Sequence, residues 1–498
     1  MSDSPAGVQG GLIRRDEHDS AEVERRVLNG TFWIVASRWA SLLVTWPVTI
    51  VLARLLSPAD YGYLAVVAVF TRFGRIVAEA GVSNTVLLGP LLSDRRYARL
   101  HGWSLLLFLV VGGTIAAFAV PIEHVYKTPG LRWVLLALTS SFMLEGLTLL
   151  PIARMRRGVR FRELAVADTA RVLCDAGASL LCAINGFGYW SLVAGYLAGH
   201  ACHAMFILHA AGMRPAWPST RGLSEPLSNA KRLLVASITN FAAESSDAWV
   251  GGAVVGAAAL GGYTFMMSLA RSPIEKIAGI IAFASGTLLG NLRANTARIG
   301  QAVLRLARIT SLLIFPAFAG IALVADDLVL GILGPKWHPF VLSLRILCLF
   351  FAMQPLHSAL DDAAITLGHS KASAMNGVIS LLILPVSFFV FGRYLGATGL
   401  ALAWLVPRPI LIARLLLLFN RTTGLRLSSW ISCFREPVLG VLLMALVVSG
   451  AQRLPGMLAL SHLPRLIFLS ALGATVYAAF LLIFARADVL WLRGLIKR

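Results

Sequence analysis

The sequence predicts an all-α polytopic membrane protein with about fourteen transmembrane helices. Three observations carry that expectation. Hydrophobic residues make up 57% of the 498 positions and charged residues only 14%, where soluble domains hold about 25% charged residues. Apolar runs of at least the roughly 20 residues that cross a bilayer recur along the chain. The Lys and Arg behind the net charge of +20 sit in short segments between those runs. Such a distribution orients spans in a membrane and does not build the single basic face that binds nucleic acid.

Residues 1–28 are polar and charged and are expected to form a cytoplasmic tail. The apolar run that follows is too long for the core of a cleavable signal peptide. Spans are expected at 29–56, 62–88, 101–122, 131–153, 164–184, 188–211, 229–255, 261–289, 303–325, 340–367, 371–392, 396–419, 434–450 and 465–485, while hydropathy alone also admits twelve. The first two are separated only by Ser57-Pro58-Ala59-Asp60-Tyr61-Gly62, so they are antiparallel neighbours. In the tenth, Pro355, His357, Asp361 and Asp362 make the second half the less apolar one.

Loop charges set the orientation. Arg95, Arg96 and Arg99 follow span two, Arg154, Arg156, Arg157, Arg160 and Arg162 follow span four, and Arg486, Arg493, Lys497 and Arg498 close the chain. The alternate segments hold only Lys127, Arg132, Lys336, Arg393, Arg453 and Arg465. Both termini are therefore expected in the cytoplasm. Pro215, Pro218 and Pro226 mark a cytoplasmic linker over 213–228.

A weak echo appears at an offset of 200 residues: Asn29 and Ser37 match Asn229 and Ser237, and Asp60-Tyr61-Gly62-Tyr63 matches Leu260-Gly261-Gly262-Tyr263. It predicts two pseudo-symmetric six-helix lobes, 29–212 and 229–420, plus two extra C-terminal helices and a cytoplasmic tail within 421–498. The five cysteines lie in or beside apolar spans without CxxC spacing, and are expected to be small buried residues with no disulfide or metal site.

The spans carry charge that a passive anchor would lack. An arginine near the bilayer centre costs at least about 2.5–3.5 kcal/mol and faces a bundle interior or a wet cavity. Arg38, Arg72 and Arg271 each lie nine or ten residues from a span end, about 14 Å deep at 1.5 Å per residue. Arg75 and Glu79 are an i, i+4 pair, which leaves Arg72 without a local partner, and Glu275 is placed to neutralise Arg271. Lys276 points about 140° away from Arg271 on the helix. Asp168, Arg171 and Asp175 share a face of span five and read as a structural ion ladder. Asn240, Glu244 and Asp247 share a face of span seven, an acidic stripe able to hold a cation or proton, or to pair with an arginine across the lobe. His200, His203 and His209 on span six read as polar packing, since no carboxylate or cysteine completes a metal set.

Leu52-Ala53-Arg54-Leu55-Leu56-Ser57-Pro58-Ala59-Asp60-Tyr61-Gly62 resembles the first hairpin of the bacterial polysaccharide transporters. These are lipid-linked oligosaccharide (Wzx-like) flippases of the multidrug/oligosaccharidyl-lipid/polysaccharide (MOP) superfamily. Asp247-Ala248-Trp249-Val250-Gly251, Leu260-Gly261-Gly262-Tyr263, Leu269-Ala270-Arg271-Ser272-Pro273, Gly334-Pro335-Lys336-Trp337 and Leu367-Gly368 extend the likeness over about residues 25–420. The resemblance implies two six-helix lobes around a central cavity. It also implies export of an undecaprenyl-pyrophosphate-linked oligosaccharide across the bacterial inner membrane. Its implied partners are membrane lipids, a polysaccharide polymerase and export machinery, with no cofactor. In the related peptidoglycan-lipid flippases, arginines on spans one, two and eight line the cavity. Arg38, Arg72 and Arg271 fall on the corresponding helices, with Lys276 beside them, and are expected to bind the pyrophosphate through planar forks.

Two other classes compete. A cation-coupled multidrug antiporter of the same superfamily would need an acidic cavity, against the excess of arginine here. A membrane-embedded polysaccharide polymerase would need a large outer loop with catalytic carboxylates, and Asp326-Asp327 is the only outer acidic pair.

Overall fold

The computed structural model describes residues 32–33, 35–79, 93–212, 217, 234, 237–239, 241–242, 244–290 and 296–484, with the backbone alone for 274–290 and 296–297. The N-terminal tail, the linker apart from Trp217, the end of the second span, Asn240 and the C-terminal tail lie outside the described residues. So do the side chains of Glu275 and Lys276.

The described chain is helical. We label its long helices α1 (Val35–Leu55), α2 (Pro58–Glu79), α3 (Asp94–Ala117), α4 (Leu131–Arg157), α5 (Phe161–Ile184) and α6 (Trp190–Ala211). There follow α7 (Ala257–Gly290), α8 (Thr296–Leu323), α9 (Val341–Thr366), α10 (Ser370–Leu405), α11 (Pro407–Thr423), α12 (Leu427–Gln452) and α13 (His462–Phe484). Among the described residues, ten helical stretches are long and apolar enough to cross a membrane. The 24-residue α5, which carries Asp168, Arg171 and Asp175, and the 34-residue α7 are long enough but not among the ten. The protein is a multi-pass helical membrane protein.

Local chemistry sets the helix ends. The first break is a capping box: Ser57 Oγ donates to Asp60 Oδ2 at 2.7 Å while the Asp60 N–H donates back to Ser57 Oγ at 3.3 Å. Pro58 supplies the first helical position, where no N–H is needed. At the other end of the chain's apolar length, Gly396 (φ 59°) breaks α10 between the eleventh and twelfth expected spans. Pro407 then restarts the helix as α11.

The chain divides into two compact units, Met1–Leu56 with Val67–Ile238 and Ser57–Val66 with Thr239–Arg498. In the first unit, α5 and α6 form the most extensive helix pair, and α4 packs on both α3 and α6. In the second, α8 packs on α9 and α12, and α12 on α13. The two C-terminal helices are tied into this unit: Tyr477 Oη donates to the Leu312 carbonyl at 2.9 Å, and buried Asp327 forms ion pairs with Arg465 at 3.3 Å and with His462 at 2.9 Å.

The second unit also holds the start of α2. A Cβ on Gly62 would collide with the Ala257 carbonyl, and one on Gly261 with the Pro58 carbonyl, so the two backbones touch where side chains cannot fit. Around that contact Tyr61 packs edge-on to Phe265 and Trp337, at 5.0 and 5.4 Å between ring centroids. Trp337 is fully buried. The motifs that echo each other in sequence thus meet in space.

Candidate functional site

In the first unit, a cavity of 540 Å3 opens between α1, α4, α5 and α6. Ser37 fixes its α1 wall: its hydroxyl donates to the Ala165 carbonyl at 3.0 Å and shares a 2.8 Å hydrogen bond with Thr169. Arg38 therefore lines the cavity, together with Arg156 from the last turn of α4 and Arg171 from α5. None of the three makes an ion pair among the described residues. Glu79 and Asp175 act on Arg156 and Arg171 only at longer range. The single acid on the wall, Asp168, lies 3.3 Å from His203 on α6. Three guanidinium groups and one carboxylate give the cavity an excess of positive charge, and the planar fork of arginine suits phosphate oxygens.

Deeper in the same unit the charges cancel. Arg75 grips Glu145 bidentately, Nε to Oε2 at 2.9 Å and Nη2 to Oε1 at 2.5 Å. Tyr196 donates to Glu145 Oε1 at 3.1 Å and stacks on His200 at 4.0 Å. This cluster binds α2 to α4 and α6.

The second unit has a hydrogen-bonded chain and a polar cavity. Asp247 opens a π-helical turn, Asp247–Gly251, and caps the Ala248 N–H at 2.8 Å. Tyr263 Oη donates to Asp247 Oδ2 at 2.9 Å and accepts from Trp404 Nε1 at 2.6 Å. Arg271, exposed on α7, acts electrostatically on both Asp247 and Tyr263. Beyond Trp404 lies a cavity of 320 Å3. Its polar wall includes Glu244, Gln354, His357, Asp361 and Arg408. Arg408 sits over the Phe350 ring at 4.6 Å, in the first turn of α11.

The structure thus distributes the sequence candidates. Arg38 joins an arginine cluster within its own unit. Arg72 is exposed on α2. Arg75 pairs across to α4, where Glu79 one turn along α2 had been the expected partner. The ion ladder of span five does not form as such: Asp168 turns to His203 and Asp175 accepts from Ser179 at 3.2 Å, which leaves Arg171 to the cavity. Glu244 and Asp247 part company, one lining the polar cavity and the other bound to Tyr263. Among the described residues, no group of three His, Cys, Asp or Glu could hold a metal ion. Sequence reasoning missed Arg156, Arg171 and Arg408 as cavity residues. A signal existed for Arg408, a charge inside the apolar run 396–419, flanked by Pro407 and Pro409.

A membrane bundle with charged cavities inside its helices defines a protein of the transporter class. The chain belongs to the family described as "Polysaccharide biosynthesis protein", whose sequence profile matches residues 51–342. It is 22% identical over 367 residues to the lipopolysaccharide biosynthesis protein WzxC of Escherichia coli K12, covering 72% of this chain and 74% of that one. It is 21% identical over 493 residues to the succinoglycan biosynthesis transport protein ExoT of Rhizobium meliloti, covering 93% and 94%. Its fold is similar to that of the lipid II flippase MurJ in an inward closed conformation, with a TM-score of 0.74 at 13% identity, covering 92% of this chain and all of that one.

Proposed function

We propose that the protein is a flippase that moves an undecaprenyl-pyrophosphate-linked oligosaccharide repeat unit from the cytoplasmic to the periplasmic leaflet of the inner membrane. The product feeds the synthesis of an exopolysaccharide or O-antigen-type polysaccharide. Family membership sets the class. The observation that carries the substrate chemistry is the basic cavity, where Arg38, Arg156 and Arg171 face a single acid. Arg72 and Arg271, with Lys276, complete the proposed set of cations along the path of the diphosphate. Outward movement of a dianion is aided by an inside-negative potential, by about 2.3 kcal/mol per charge per 100 mV. A proton at Glu244 or Asp247, beside Asn240, is the proposed means of resetting the empty carrier.

The mechanism is alternating access of the lobes 29–212 and 229–420, with both termini in the cytoplasm. Tyr61, Gly62 and Gly261 then form an outer closure that must part on each cycle. The antiporter alternative is disfavoured by the sign of the basic cavity. The polymerase alternative is disfavoured because both carboxylates of the outer acidic pair are engaged, Asp326 with Arg345 at 2.5 Å and Asp327 with Arg465.

The experiment is a deletion strain that retains its glycosyltransferases. It should accumulate lipid-linked repeat units in the inner leaflet, and the intact protein should clear them. Tyr61→Cys with Phe265→Cys, joined by a disulfide, should stop clearance, and reduction should restore it. Clearance that continues in the deletion strain, or an unaffected locked protein, would defeat the flippase reading or the rocking mechanism respectively.

A further inference from the structure

The polar cavity of the second unit is not explained by binding a diphosphate. Its floor is apolar, from buried Leu384, Trp404 and Leu411. Its polar wall is of mixed sign. Arg408 makes no ion pair among the described residues, and the carboxylates of Glu244 and Asp361 line the same space. Two wall atoms, Gln354 Oε1 and His357 Nε2, are buried and make no hydrogen bond among the described residues. A buried polar atom without a partner is destabilising by about 1–3 kcal/mol, so such atoms point to a polar guest.

The chemistry of the wall selects the guest. A bare cation would be repelled by Arg408, and an anion by the two carboxylates. A neutral molecule rich in hydroxyls satisfies both, because each hydroxyl donates once and accepts twice. It can donate to Asp361 and Gln354 and accept from Arg408, while its C–H faces meet the apolar floor. The volume of 320 Å3 lies at the small end of ligand sites, ~300–1,000 Å3. Arg408 is held in place by the Phe350 ring and by the fixed backbone of Pro407, so the site is preorganised.

We propose that this cavity is a carbohydrate subsite that takes one sugar ring of the lipid-linked oligosaccharide. The inference rests on the flippase reading and deepens it, by naming the part of that substrate that the 320 Å3 cavity recognises. Sugars whose hydroxyls match the wall are selected, since a site built for a hydroxyl rejects the analogue that lacks it.

Gly377 makes the test possible. It lines the cavity, and a Cβ built on it meets nothing within 4 Å, so a larger side chain can grow into the space. Gly377→p-azidophenylalanine and, in the arginine cavity, Ser41→p-azidophenylalanine are introduced into the full-length protein in cells that make the repeat unit. After irradiation, adducts are identified by mass spectrometry. Sugar-bearing adducts at both positions are expected. An adduct at Ser41 alone, or a sugar-free phospholipid at Gly377, overturns the subsite and leaves the flippase standing. No adduct at either position overturns both. An independent arm uses purified protein in proteoliposomes. Gln354→Leu and His357→Leu should each weaken apparent affinity for the sugar-bearing lipid at least about tenfold, while competition by undecaprenyl diphosphate, which has no sugar, stays unchanged. Equal loss for both lipids, or no loss for either, would overturn the assignment even where the azido variants fail to reach the membrane.

Discussion

The two units each enclose a charged cavity, and the cavities differ in charge balance. In the first unit, Arg38, Arg156 and Arg171 face Asp168, which is already engaged by His203. In the second, Arg408 stands among Glu244, Asp361, Gln354 and His357. An unbalanced wall is stabilised by a charged guest, and a balanced wall by a neutral polar one. The first wall thus suits an anion, and the second a neutral hydroxylated group.

The largest expected effect breaks the first half of this contrast. Arg38→Ala and Arg171→Ala should each lower export at least about tenfold, or ~1.4 kcal/mol, while the protein still reaches the membrane. Lysine at either position should restore only part, because a point charge lacks the fork. Surface polysaccharide and inner-leaflet lipid-linked sugar provide the readout, with Arg95→Ala as a control expected to export normally. Normal export by both alanine variants would strip the basic cavity of its role.

A second experiment converts one cavity toward the opposite type. Arg408→Gln removes a cation from a wall that Glu244 and Asp361 also line, so the wall becomes more acidic. The variant should gain a sodium-dependent rise in melting temperature that the wild type lacks. A wild-type protein that already shows the same rise would mean that the cavity is not balanced.

Stability separates the cavities from the charge cluster beside them. Glu145→Gln removes the acceptor of both Arg75 bonds and weakens the Tyr196 contact. Glu145 is 12% exposed but Arg75 is 42% exposed, so solvent recovers part of the loss. A destabilisation of about 1–3 kcal/mol is expected, read as a lower melting temperature in detergent. Arg75→Met combined with Glu145→Leu should recover much of it, whereas a double variant no better than the single one would point to a role beyond packing.

The smallest effect lies outside both cavities. Glu123 accepts the Arg132 N–H at 2.9 Å and the Gly130 N–H at 3.2 Å, capping the start of α4. These bonds, the Arg132 N–H above all, hold its carboxyl below the usual glutamate range. A depressed carboxyl stabilises above its unfolded value, about 4.3, and the contribution is lost as pH falls through the lower folded value. Hydrogen-exchange protection at Gly130 and Arg132 should therefore decline only below that range, with export unaffected. Glu123→Gln should show the low protection at every pH.

Much of the architecture was legible without coordinates. Hydropathy located the helices because a span in lipid must satisfy its backbone within itself, which leaves a long apolar run. Ser57-Pro58-Ala59-Asp60 declared its turn, because a capping box is built from neighbours in sequence. Of the span arginines singled out, Arg38 lines a cavity, while Arg72 and Arg271 are exposed. Sequence could not decide partners. Arg75 and Glu79 sit one helical turn apart, yet Glu145, 70 residues away, supplies the bidentate bond. Arg171 looked tied to its own helix, yet Asp168 turned to His203 and Asp175 to Ser179. Arg408 gained its significance only when α9 brought Asp361, Gln354 and His357 to the same cavity. Helical periodicity fixes which residues share a face. Which face meets which depends on how helices pack across the whole chain, and that alone decides whether a buried charge is neutralised or left to bind a ligand.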